Sequence, residues 1–235
     1  MTHLGLPETI ATCLFDLDGV ITKTAAVHEA AWRETFDTFL RRRHGAGFRP
    51  FDAHEHNAYV DGRPRAEGVR SFLASRSIVL PEGLPGDSAQ QDTIHGLGRR
   101  KNELLLEKIH SEGVEPYPTT LRYIDEVRRL GLRTAVVSSS ANCREVLRSI
   151  GAEDLFDVRV DGLVTAERGL LGNHTLGSTA SASAVFEDAL AGIDAARAGR
   201  FGFTIGVDRV GQGDALRAHG ADVVVRDISE LVGWE

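Results

Sequence analysis

The hydrophobic pattern along this chain changes character partway through. Residues 10–17, IATCLFDL, make a nearly continuous apolar run closed by acid and glycine, as expected of a short strand buried on both faces. From Thr24 to about Leu40 the apolar groups Ala30, Ala31, Phe36, Phe39 and Leu40 suit a helix better than a strand. Residues 41–64 carry little periodicity and read as loop. Helices are predicted over 65–75 and about 97–110, and nothing between 24 and 115 reads as a strand.

Beyond residue 115 strands and helices alternate. The stretch 119–130, TTLRYIDEVRRL, is an amphipathic helix stopped by Gly131. LRTAVVSSS is a buried strand ending in hydroxyls, and ANCREVLRSIG is a helix closed by Gly151. VRVDGLV, ASAVFEDA and FGFTIGVD read as further strands, with the helix ALAGIDAARAG between the last two, and ADVVVRDISELV supplies one more strand. This alternation predicts an α/β fold with a doubly wound parallel sheet. The first strand belongs to the same alternation, although a helical stretch separates it from the rest. The economical organisation is a sheet domain of 1–22 and 116–235, with a helical cap domain, 23–115, inserted after the first strand.

Composition narrows the function classes. With 42% hydrophobic and 26% charged residues the chain can bury a sizeable core and is not disordered. A net charge of −7 argues against broad contact with a nucleic-acid backbone, while a locally basic pocket could still take a small anionic substrate. Cys13 and Cys143 are too few for a disulfide framework or a zinc set and read as small buried hydrophobes. No apolar run approaches the roughly 20 residues that cross a bilayer, so no membrane partner is expected. The opening MTHLGLPETI lacks the basic and apolar regions of a secretory signal, so the cytoplasm is the expected location.

The chemistry gathers at strand ends. In open parallel sheets ligands bind beyond the carboxyl ends of the strands. Asp16 and Asp18 end the first strand, Ser138, Ser139 and Ser140 end another, and Glu187 and Asp188 end a third. Residues i and i+2 of a strand share a face, so Asp16 and Asp18 can address one pocket. Clustered acids are costly unless a hard cation neutralises them, and oxygen ligands favour magnesium. One aspartate could then attack phosphorus while its neighbour handles the proton.

FDLDGVITKT, VVSSSAN and VFEDALAG resemble motifs of the haloacid dehalogenase superfamily. The helical insert, with TAAVHEAAW, GRPRAEGV, RRKN and SSSAN in order and spacing, is similar to the β-phosphoglucomutase-like subgroup with a helical cap. The resemblance implies that Asp16 is a nucleophile forming an aspartyl-phosphate and that Asp18 is its general acid/base. Magnesium would be held by Asp16, the main-chain carbonyl of Asp18 and Asp188, with Glu187 nearby. Ser138 would bond the transferring phosphoryl group, while Ser140, Asn142 and Arg65 match positions that hold the non-transferring phosphate of a hexose bisphosphate. Ser139 falls within the same phosphate-binding segment, and His28 and Lys101 match positions that orient the sugar and the acid/base. Arg65 and Lys101 also fit ordinary solvated charges, and His28, beside Trp32, a packed or surface histidine. Arg41–Arg43 read as a solvated face.

The sequence departs from the family pattern in two places. Lys23 stands where relatives usually carry aspartate, at the hinge between core and cap, and is not expected to be catalytic. Asn173 falls at the position of a motif lysine, with Arg168 and His174 as nearby stand-ins. The segment GNHTLGSTASAS is barely long enough for a parallel crossover, which normally takes about 10–12 residues. The resemblance implies a magnesium-dependent phosphotransferase interconverting β-glucose 1-phosphate and glucose 6-phosphate. The alternatives are a sugar-phosphate phosphatase of the same fold and a catalytically impaired sugar-phosphate-binding homologue. In each case the partner is a phosphorylated sugar, and a monomer or weak oligomer is expected.

Overall fold

The computed structural model describes residues 4–162 and 177–232. In chain order its named elements are β1 (Thr12–Asp16), α1 (Ala25–His44), α2 (Ala53–Glu55), α3 (Arg65–Ser75), α4 (Ile94–Glu112), α5 (Pro118–Arg129) and β2 (Arg133–Val137). There follow α6 (Cys143–Ser149), β3 (Val158–Val160), β4 (Ser183–Glu187), α7 (Leu190–Ala198), β5 (Phe203–Val207), α8 (Gly213–His219) and β6 (Val223–Val225). The chain forms two compact units, Met1–Lys23 with Val114–Glu235, and Thr24–Gly113.

Among the described residues the first unit carries a parallel six-stranded sheet in the order β3-β2-β1-β4-β5-β6, the doubly wound α/β arrangement that the alternation predicts. β1 is central, which explains its continuous apolar run: Cys13, Leu14 and Phe15 are all buried. Phe15 is opposite Phe186 of β4, and their rings stack at 4.4 Å. Tyr123 of α5 closes edge-on against both, 6.4 Å from Phe15 and 5.4 Å from Phe186, and its Oη donates to the Leu4 carbonyl at 2.8 Å. Cys13 and Cys143 are both buried, and burial pushes both thiols up, so they act as small core residues. No helix among the described residues is long and apolar enough to cross a membrane.

In the second unit α1, α3 and α4 contribute to one apolar cluster that includes Trp32, Phe36, Phe39, Phe51, Phe72 and Leu97. Phe36 is its hub, 4.1 Å from Phe72 and 5.1 Å from both Trp32 and Phe51. Among the described residues 24–113 there is no strand.

Several elements differ from the sequence expectation. Residues 41–64 are not all loop: α1 continues to His44, and α2 leads into a π-helical turn, His56–Val60. Hydrophobic periodicity misses this region because its elements are only a few residues long: Phe51 and Val60 enter the apolar cluster singly, and polar groups cap the turn. Asp52 accepts from the Glu55 amide at 2.8 Å, and Glu55 accepts in return from the Asp52 amide at 3.3 Å. Glu55 itself is buried and gripped by Arg76, Nε at 2.6 Å and Nη2 at 2.6 Å, and by Arg49 at 2.7 Å. Helix α8, with Gly213 and Leu216 as its buried residues, was not expected. Its seven residues begin with Gly213 and bury only Gly213 and Leu216, too few apolar positions to establish a helical period. The strand expected over 221–232 is confined to Val223–Val225, because Asp227 caps a 3-10 turn over Ile228–Leu231.

Candidate active site

The strand order reverses between β1 and β4, and in doubly wound sheets ligands bind at that point, outside the carboxyl ends. Asp16 is the last residue of β1 and Glu187 the last of β4, with Asp188 immediately after it. One oxygen from each of Asp16, Glu187 and Asp188 lies within 4.8 Å of the other two. This crowding acts on Asp16. Burial, then the charges of Glu187, Asp18 and Asp188, raise its carboxyl well above the usual carboxylate range, against a hydrogen bond from the Leu17 amide.

Two glycines make the cluster possible. After β1 the chain folds into a tight turn: the amides of Ile21 and Thr22 donate to the Leu17 carbonyl at 3.0 and 2.9 Å, and Gly19 donates to the Thr22 carbonyl at 2.7 Å. Gly19 has φ +90, and a Cβ there would stand 1.8 Å from Asp188 Oδ2. A Cβ at Gly192 would stand 2.0 Å from Glu187 Oε2, so the first turn of α7 can close on that carboxylate. The Ala189 amide, at the entrance to α7, donates to Glu187 Oε1 at 2.9 Å. Three carboxylates converging where no side chain can intrude are a donor set suited to a hard divalent cation such as magnesium.

The end of β2 supplies hydroxyls. Ser138 is buried, and its Oγ accepts from the Ser140 amide at 3.1 Å. Ser140 Oγ accepts from the Asn142 amide at 3.2 Å. A hydroxyl that accepts an N–H keeps its own proton to donate, which suits Ser138 and Ser140 to an anion. Ser139 is exposed, and a Cβ at Gly162 would meet its carbonyl at 2.5 Å, so the segment after β3 packs closely on this loop.

The remaining candidates are grouped in the helical unit. Lys101 Nζ is 2.9 Å from His28 Nδ1 and 5.1 Å from the Trp32 ring centre. At 4% exposure Lys101 is not a solvated charge; it stands in the buried stripe of α4 between Leu97 and Leu105. Arg65, the first residue of α3, donates through Nη2 to Asn102 Oδ1 at 2.7 Å. Burial, then the Arg99 cation, lower the Arg65 pKa, and an anion beside it would relieve both.

Lys23 pairs with Glu115 and lies 5.7 Å from the Tyr117 ring centre, in a ribbon where Thr22 bridges Pro116. Arg168, Asn173 and His174 lie outside the described residues. Sequence reasoning passed over Arg209 and Gln212, on the loop after β5, whose side chains donate to the main chain of Gly19 and Asp188, both at 2.9 Å. Their place at the carboxyl end of a parallel strand was the available clue.

Residues 10–200 match a family model described as haloacid dehalogenase-like hydrolase. A β-phosphoglucomutase of Mycobacterium bovis is 46% identical over 246 residues, covering 97% of this chain and 94% of that protein. A trehalose-phosphate phosphatase of Mycobacterium leprae is 37% identical over 124 residues, or 50% of this chain and 29% of that protein. The crystal structure of β-phosphoglucomutase from Clostridium difficile superposes with a TM-score of 0.73 at 25% identity, covering 94% of this chain and 93% of that one. Together with the acid-lined strand ends, these matches make the chain a member of the haloacid dehalogenase superfamily of enzymes, in its β-phosphoglucomutase-like subgroup.

Proposed function

We propose that this protein is a magnesium-dependent phosphotransferase that interconverts β-D-glucose 1-phosphate and glucose 6-phosphate through an aspartyl-phosphate. The observation that carries the reading is the convergence of Asp16, Glu187 and Asp188 at the reversal of strand order, in a chain similar along its length to a β-phosphoglucomutase.

Asp16 is the nucleophile and Asp18 the general acid/base. When the sugar's 6-hydroxyl attacks the Asp16 phosphate, the new O–P bond replaces the bond to Asp16, and Asp18 takes the hydroxyl proton. The resulting bisphosphate then presents its other phosphate to Asp16. As the carboxylate attacks that phosphorus, the bond to the sugar's C1 oxygen breaks and Asp18 returns the proton to the leaving oxygen. Asp16, Asp188 and the Asp18 carbonyl would hold magnesium, with Glu187 close by, and the ion would supply positive charge to phosphoryl oxygens and clustered carboxylates alike. Ser138 donates to the transferring phosphoryl group. Arg65, Ser139, Ser140 and Asn142 bind the other phosphate, and His28 and Lys101 orient the sugar.

A second reading is a sugar-phosphate phosphatase in which water takes the place of the sugar hydroxyl. The partial likeness to a trehalose-phosphate phosphatase favours it. Purified protein supplied with magnesium, β-glucose 1-phosphate and catalytic β-glucose 1,6-bisphosphate separates the two. Glucose 6-phosphate accumulating without matching phosphate release supports the mutase. Stoichiometric phosphate release without glucose 6-phosphate supports the phosphatase, and binding without either product supports an impaired homologue.

A further inference from the structure

The loop between β5 and α8 reaches the main chain behind two of the site's acids at once. Asp208 shapes the loop: its Oδ1 accepts from the amides of Gly211 at 2.7 Å and Gln212 at 2.8 Å, and its Oδ2 from Gly213 at 3.0 Å. From this rigid turn Gln212 Nε2 donates to the Asp188 carbonyl at 2.9 Å. Arg209 Nε donates to the Gly19 carbonyl at 2.9 Å, across 190 positions of sequence. The Arg209 guanidinium lies 3.7 Å from the Tyr117 ring centre, and its Nη1 donates to the Arg226 carbonyl at 2.7 Å.

Arg209 thus ties the Gly19 carbonyl to the Tyr117 ring and to the segment after β6, where its Nη1 also lies 3.6 Å from Asp227 Oδ2. Gly19 sits directly after Asp18 in the turn that the Leu17 carbonyl closes, and the Tyr117 amide donates to the Ile21 carbonyl at 2.9 Å. Arg209 therefore ties the turn bearing Asp18 to the aromatic ring beside its far end. The arrangement has a cost. Arg209 is 13% exposed, and its Nη2 is buried with no hydrogen-bond partner among the described residues. A guanidinium serving only to solvate the surface would not accept an orphaned donor.

We propose that Arg209 and Gln212 are positioning residues. Arg209 fixes the Gly19 carbonyl and so the direction of Asp18, and Gln212 fixes the main chain of Asp188. Neither is a catalytic residue. The proposal rests on the functional reading above in assigning proton transfer to Asp18 and magnesium to Asp188, but the geometry of the brace stands without it. A misplacement of about 1 Å in an acid/base can cost on the order of 10²-fold in rate. Loss of a group that orients a metal ligand typically costs about 10–100-fold in metal affinity.

The test uses the full chain with Arg209→Ala and Gln212→Ala, with three readouts. In Arg209→Ala, kcat is expected to fall by about 10–100-fold with KM for β-glucose 1-phosphate within about 2-fold, and amide exchange over 19–22 is expected to quicken. In Gln212→Ala, magnesium binding by calorimetry is expected to weaken by about 10-fold or more. Arg209→Lys keeps the cation and stem if the alanine variant does not fold. It is expected to lose kcat as well, because a lysine cannot place two donors across a stacked plane. Unchanged amide exchange in Arg209→Ala together with unchanged magnesium affinity in Gln212→Ala would overturn the brace. If wild type does not turn over substrate, or Asp16→Asn turns it over as well as wild type does, the functional reading fails instead, and exchange and calorimetry still decide the brace.

Discussion

At the strand ends of the sheet unit, Asp16, Glu187 and Asp188 bring like charges together, and the strongest electrostatic neighbours of Asp16 are three other carboxylates. The helical unit does the reverse, placing Lys101 beside Trp32 and His28, and holding Arg65 where burial, then the Arg99 cation, lower its pKa. Elsewhere in that unit the buried Glu55 is a charge with a structural role, and two arginines close around it. On the proposed function, the contrast is between a structural ion pair at Glu55 and charges whose own surroundings leave them unbalanced. A carboxylate forced toward its protonated form is relieved by a cation, and a guanidinium crowded by another cation is relieved by an anion.

Removing the nucleophile breaks this comparison most severely. Asp16→Ala is expected to lower glucose 6-phosphate formation by about 10⁴-fold or more, the scale seen when a covalent nucleophile is lost, measured with magnesium and catalytic bisphosphate. Lys101→Met tests the helical unit. Turnover is expected to fall by about 10²-fold, while the melting temperature holds or rises, because an apolar group of similar length replaces a buried ammonium. A large loss of melting temperature would instead make Lys101 structural.

Gly19→Ala places a methyl where Asp188 Oδ2 now stands. Magnesium affinity by calorimetry is expected to fall by about 10–100-fold, since the Asp188 carboxylate proposed to hold the ion must move. The smallest expected effect is on metal-free stability. The folded Asp16 carboxyl is raised above its ordinary value of 3.8, so its protonated form favours folding. That contribution is complete below the unfolded value and is lost as pH rises through the folded one. Asn cannot ionise, so Asp16→Asn is expected to melt higher than wild type in chelator at neutral pH, by about 2–4 °C for each kcal/mol relieved. The difference should vanish as pH falls into the range where Asp16 is protonated in both states.

The sheet and its acids were legible because each left a local mark. β1 is buried on both faces and so reads as an unbroken apolar run, and Asp16, Glu187 and the serines after β2 sit where parallel strands end. Lys101 was half legible. A lysine on a helix reads as solvated, yet its i−4 and i+4 neighbours Leu97 and Leu105 are buried, which marks it as a member of the inward stripe. The capped turn at 53–60 was hidden because it is too short to show a period: only Val60 is buried in the apolar cluster, with Tyr59 against it, and Asp52, Glu55, Arg49 and Arg76 hold the rest. Arg209 and Gln212 were hidden for another reason. They act on main-chain carbonyls distant in sequence, and a backbone partner carries no residue-type pattern to detect.

The central claim, that Asp16 carries the phosphoryl group, is tested most directly by trapping the acyl phosphate. Wild-type protein is mixed with magnesium and β-glucose 1,6-bisphosphate, reduced with borohydride, digested and examined by mass spectrometry. Reduction of an aspartyl-phosphate yields homoserine, and the expected result is homoserine at position 16, absent without bisphosphate. Turnover of β-glucose 1-phosphate with Asp16 unmodified, or with the modification on another residue, would contradict the account.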